Sequence, residues 1–67
     1  MNKKQLGQHI AKLRKKAGFT QERFAEKTDY STEFISFVER GINSPSLDGC
    51  DRIAKALGIK LKDLFDF

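Results

Sequence analysis

Apolar residues recur along the chain at helical intervals and nowhere alternate as in a strand. Leu6, Ile10, Leu13 and Ala17 share one face, which predicts a first helix over Lys3–Ala17, stopped by Gly18. Thr20 is a good N-cap for a second helix over about Gln21–Thr28, with Glu22 favoured by the helix dipole. That helix turns Phe24, Ala25 and Thr28 inward. Asp29-Tyr30 makes a turn, and Ser31 caps a third helix running to about Arg40, where Gly41 ends it. Ile42-Asn43-Ser44-Pro45 reads as a loop. Ser46 is one cap for a fourth helix, and Ser44 with Pro45 at the first helical position is the alternative. Leu47, Cys50, Ile53, Ala54 and Leu57 form its apolar stripe, and Gly58 closes it. Leu61, Leu64 and Phe65 make a short fifth helix. The expected fold is all-α, with five short helices around one core.

The third helix is the informative one. At about 100° per residue, Phe34, Ile35 and Val38 fall on one side, which is the core face. Glu33, Ser36 and Arg40 point nearly opposite, with Thr32 and Phe37 on the flanks. A helix of two to three turns, buried along one side only, has the shape that enters a DNA major groove about 12 Å wide. The second helix, with uncharged Gln21 in its first turn, is placed to hydrogen-bond a phosphate across the backbone.

At 67 residues the chain reads as one domain, residues 1–67. A chain of this size buries only about 60% of its unfolded surface. With one Cys and one His it can form neither an internal disulfide nor a structural zinc site. Its hydrophobic core must therefore be efficient or helped by dimerisation. No apolar run approaches a membrane span and no signal-peptide pattern opens the chain, so the cytoplasm is the expected location. The net charge of +4 is unevenly spread. Residues 1–27 hold eight Lys or Arg against two acids, and residues 28–67 hold five against seven. One region is thus suited to a polyanion, the alternative being a solvated helix surface. His9 has no ligand or acid partner at useful spacing, Cys50 belongs to an apolar stripe, and no Gly-rich phosphate loop is present. An enzyme, a cofactor and a small-molecule ligand are not expected.

The run TQERFAEK at 20–27, ISFVERG at 35–41, then NSPSL at 43–47 and IAKALGI at 53–59 resemble the Cro/CI-type helix-turn-helix domains of phage repressors and small bacterial regulators. The likeness spans Leu6 to Phe65. It implies a lambda-repressor-like fold with the helix-turn-helix at helices 2 and 3, about residues 20–40. It also implies roles. Gln21 matches a residue that contacts the DNA backbone, and Thr32, Glu33, Ser36 and Phe37 fall on base-facing positions. Arg40, Asn43 and Ser44 fall where the end of the third helix meets phosphates. Arg14 and Glu39 match an internal ion pair, the role a buried charge requires.

Three positions depart from that pattern. Asp29 replaces the usual turn Gly and tolerates a left-handed conformation. Lys60 cannot cap the fifth helix as Ser or Thr would, so that helix is expected to fray. Gly49 inside the fourth helix costs about 1 kcal/mol against Ala, which predicts a close approach of another helix. Glu33 and Phe37 are unusual readers of bases. A carboxylate accepts from cytosine N4 and a phenyl ring sits against thymine methyls, which suggests a half-site containing both bases. The alternatives are that Glu33 pairs with a neighbouring cation and that Phe37 extends the core between helices 2 and 3.

Leu64, Phe65 and Phe67 give the chain an apolar end, and a two-fold dimer through this region is expected. It would set two recognition helices about 34 Å apart over a pseudo-palindromic duplex. The reading is a dimeric regulator of transcription that binds double-stranded DNA, with repression expected ahead of activation. A module that keeps the fold and binds a protein through helix 3 is the alternative.

Overall fold

Each helix begins where a polar side chain can take an otherwise unpaired backbone N–H. In the computed structural model, which describes residues 2–67, the helices are α1 (Lys3–Lys16), α2 (Gln21–Thr28), α3 (Thr32–Glu39), α4 (Leu47–Leu57) and α5 (Leu61–Leu64). Asn2 Oδ1 accepts from the Lys4 N–H at 2.7 Å. Thr20, Ser31 and Ser46 each accept the N–H three residues on at 3.0 Å. Ser46 is therefore the cap of α4, and Pro45 lies buried in the loop before it. Lys60 makes no side-chain cap for α5; instead the Asp63 carboxylate reaches back to accept the Lys60 N–H at 3.2 Å. The helix forms but is a single turn.

The five helices occupy 26 × 24 × 21 Å. Leu6 and Ile10 of α1, Phe24 and Ala25 of α2, Ile35 and Val38 of α3, Cys50 and Ile53 of α4, and Leu64 of α5 form one buried cluster. Each fully buried Leu, Ile or Phe contributes about 1.5–3 kcal/mol of transfer free energy. Burial pushes the Cys50 thiol up from its ordinary value, because the thiolate loses its hydration there. Among the described residues no helix is long and apolar enough to cross a membrane.

Two expected core positions are corrected. Leu47 is 74% exposed, because it is the first residue of α4 and precedes the turn that meets the core. Ala17 is exposed at the end of α1, and the buried position one turn earlier than Gly18 is taken by Arg14. Gly49 does mark a close approach, but to a side chain rather than a helix: a Cβ there would strike the Tyr30 hydroxyl and approach Pro45 Cβ at 3.2 Å.

Gly7 lies on the inner face of α1, where a Cβ would run into the Val38 carbonyl oxygen and approach the Glu39 carbonyl oxygen at 3.1 Å. This glycine lets α1 lie directly against the backbone of α3. Gly7→Ala should destabilise the protein by about 1–3 kcal/mol, as over-packing does, because the obstructing atoms are backbone. Urea denaturation of the two proteins measures it, with the slope of the transition unchanged.

Candidate nucleic-acid interface

The turn between α2 and α3 is built from Asp29 at φ 61 and ψ 35, the left-handed conformation that a Gly usually supplies. The Tyr30 N–H then donates to the Ala25 carbonyl at 3.0 Å and closes the end of α2. Thr28 is buried with its hydroxyl donating to the Phe24 carbonyl at 2.8 Å, so no polar group is stranded. Tyr30 anchors the turn from outside. Its ring lies 4.5 Å from that of Phe34, and the Arg52 guanidinium sits over it at 4.5 Å from the ring centroid. Neither Tyr30 nor Arg52 has a role readable from its spacing along the chain.

The far end of α3 is held by charge. Arg14 and Glu39 form the expected ion pair, with side chains only 9% and 7% exposed. Arg14 Nε donates to Glu39 Oε2 at 2.6 Å and Nη2 to Oε1 at 3.1 Å, while Nη1 donates to the Phe19 carbonyl at 2.7 Å. Gln21 Nε2 adds a third donor to the carboxylate, at 3.0 Å from Oε1. One carboxylate thus joins α1, α2 and α3. This bond also aims the Gln21 amide, because its oxygen would be repelled by the carboxylate and must turn the other way. Gln21 itself is half-buried at the start of α2.

The third helix separates its faces as its periodicity predicts. Ile35 and Val38 are buried and Phe34 is half-buried. Thr32, Glu33, Ser36, Phe37 and Arg40 together line one shallow concavity on the outer side. Glu33 is exposed and makes no ion pair among the described residues. Phe37 is 37% exposed, so its ring is on the surface and does not close the core. Arg40 folds back along the helix, with its guanidinium 5.1 Å from the Phe37 centroid and Nε donating to the Ser36 carbonyl at 3.4 Å. Asn43 and Ser44 are exposed in the following loop. Gly41, at φ 78, lets that loop begin against Lys4, whose Cα would lie 2.7 Å from a Cβ there. The start of α1 is thereby set beside the end of α3. Seven of the eight basic residues in the first 27 are exposed, Arg14 being the exception.

The apolar C-terminal end is divided differently from expectation. Leu64 is 0% exposed and belongs to the buried cluster, with Leu61 and Phe65 packed against it from partly exposed positions. It cannot line an interface. Phe65 is half-buried, and Phe67 is 51% exposed with its ring 5.3 Å from that of His9. His9 in turn donates from Nε2 to the Asp63 carbonyl at 3.1 Å. Ile42, at 51% exposure, is a further apolar surface residue that periodicity assigns only to a loop.

The family model described as "Helix-turn-helix" matches residues 10–64. Control protein C.BamHI of Bacillus amyloliquefaciens is 42% identical over 62 residues, spanning 91% of this chain and 76% of its own. The restriction-modification controller protein C.AhdI from Aeromonas hydrophila superposes with a TM-score of 0.91 at 32% identity, over 94% of this chain and 91% of its own. The master regulator for biofilm formation SinR, solved in complex with DNA, superposes with a TM-score of 0.84 at 27% identity, over 91% of this chain and 98% of its own.

Removing one member of the Arg14–Glu39 pair strands a buried charge. Glu39→Ala should therefore cost about 3–5 kcal/mol of folding stability. Chemical denaturation followed by circular dichroism checks it; a loss below about 1 kcal/mol, the range of an exposed pair, would contradict the buried role.

Proposed function

The chain belongs to the helix-turn-helix family whose model it matches over residues 10–64, and from that premise we propose that it is a regulator of transcription that binds double-stranded DNA with α3 in the major groove. The observation that carries this reading is the outer face of α3. Its five surface residues form one continuous concavity free of the protein's own core, while Glu39 at its end is tied to the helix that would lie on the phosphates. Thr32, Glu33, Ser36 and Phe37 face the bases. Gln21, Arg40, Asn43 and Ser44 meet the backbone, which supplies most of the affinity and little of the specificity.

Two copies read a pseudo-palindromic site. Phe67 offers an apolar surface beside His9 for joining two copies, and a dimer that reads two half-sites needs its α3 helices about one helical turn of DNA apart, near 34 Å. Repression is the simpler consequence, since occupying a promoter is enough to block it, whereas activation needs an added interaction with polymerase. A second reading, binding of a protein through α3, is favoured by the exposed ring of Phe37 beside the exposed carboxylate of Glu33.

Selection from a random duplex pool at moderate salt separates the two. A preferred duplex with two related half-sites is expected, and recovery of no preferred sequence refutes DNA reading. Arg40→Ala should weaken binding to every duplex and reduce the slope of log affinity against log salt by about 1 for each phosphate it no longer neutralises. For the dimer, Phe67→Asp should shift sedimentation equilibrium toward monomer, raising the dissociation constant by about tenfold or more, as truncating an interface aromatic does.

A further inference from the structure

The outer face of α3 carries two recognition elements that a single modified base satisfies together. Glu33 is an exposed carboxylate without an ion-pair partner among the described residues, and a carboxylate can only accept hydrogen bonds. Phe37 stands one helical turn further on, where residues i and i+4 are neighbours about 5–6 Å apart at Cβ. Its ring is partly open to the concavity, and Arg40 covers another side of it at 5.1 Å. In the major groove cytosine presents an N4 donor and no methyl group, and thymine presents a methyl group beside an O4 acceptor. Glu33 favours the first and repels the second, whereas Phe37 favours the methyl of the second. Only 5-methylcytosine presents a donor and a methyl group on adjacent ring carbons.

We infer that the Glu33–Phe37 face discriminates the methylation state of cytosine, binding a half-site more tightly when one cytosine in it carries a 5-methyl group. Glu33 sets the preference for the N4 donor over thymine O4. Phe37 removes the added methyl from water. Its partial exposure matters, because a buried ring would offer no surface and a fully free one would hold no position. Arg40 keeps the ring in place through its guanidinium and is held in turn by the Ser36 carbonyl. This inference rests on the proposed reading of DNA by α3, and the two fail in different ways.

The test begins with the duplex recovered from a random pool containing ordinary cytosine. Each cytosine of a half-site is then replaced singly by 5-methylcytosine, and separately by thymine, and affinities are measured by fluorescence anisotropy at fixed salt. One position is expected at which 5-methylcytosine strengthens binding about fourfold per half-site, the equivalent of about 0.8 kcal/mol for one buried methyl group. Thymine at that position should bind more weakly than 5-methylcytosine. Phe37→Ala should abolish the methyl gain while keeping the preference for cytosine over thymine. Glu33→Gln should keep the methyl gain but bind thymine and 5-methylcytosine about equally, since an amide can donate as well as accept. Both substitutions are at the surface, and circular dichroism confirms the fold of each. Methylation that is neutral or weakening at every position overturns the inference while leaving DNA reading intact. So does a methyl gain that persists in Phe37→Ala. A pool that yields no preferred duplex overturns both.

Discussion

The Glu39 carboxylate is buried, and a buried carboxylate must be surrounded by donors. Here it receives Nε and Nη2 of Arg14 and Nε2 of Gln21, which come from α1 and α2. The third Arg14 donor group ends on the Phe19 carbonyl in the loop between those helices. Rotation of α3 about its axis would separate the carboxylate from all of these partners at once. The cost of leaving a charge uncompensated in a low-dielectric site makes that rotation prohibitive. Glu39 therefore fixes the angle at which the outer residues of α3 face away from the molecule. The same bond orients Gln21 at the start of α2, so the two elements expected to meet the groove and the phosphates are set relative to one another by one side chain.

The opposite end of α3 is held by shape and dispersion. Asp29 turns the chain, Tyr30 packs on Phe34, and Arg52 of α4 lies over the Tyr30 ring. Gly49 leaves the space that the Tyr30 hydroxyl fills. Gly7 and Gly41 do the same for α1 along the flank and the end of α3. Three glycines and one ion pair thus bring helices of only eight residues into a fixed frame that their own length could not stabilise in water. The helices are rigid because they are packed, and the outer face of α3 is free because every anchoring group lies on the inner side or at an end.

That outer face is chemically mixed. It pairs an acid and an aromatic ring with two small hydroxyls, in a protein with seven exposed basic side chains in its first 27 residues. The division suits a molecule whose attraction to a polyanion is spread over the surface and is not selective, while selection is left to a few groups that carry no positive charge. An acid among phosphates is costly unless a base donor meets it, so on the proposed reading Glu33 would penalise sequences that lack one.

Much of this is legible along the chain. While the left-handed conformation of Asp29 follows from the resemblance, the helix starts at Thr20 and Ser31, the turn at Asp29-Tyr30 and the core face of α3 follow from local chemistry. Such features depend on residues three or four apart, and a helix reports them without help from the rest of the molecule. The Arg14–Glu39 pair comes only from resemblance, because 25 residues separate its partners. Gln21 as its third member and Tyr30 in the notch of Gly49 are not legible at all, and the chain does not say which residue of its apolar end, Leu64, is turned fully inward. Nor is the exposure of Leu47, which periodicity places in the core. Each depends on which surface happens to oppose a given side chain, and that is decided when five short helices settle against one another. Local spacing can say that α3 has an inner and an outer side; the packing of distant segments alone says how that outer side is aimed and which residues remain on it.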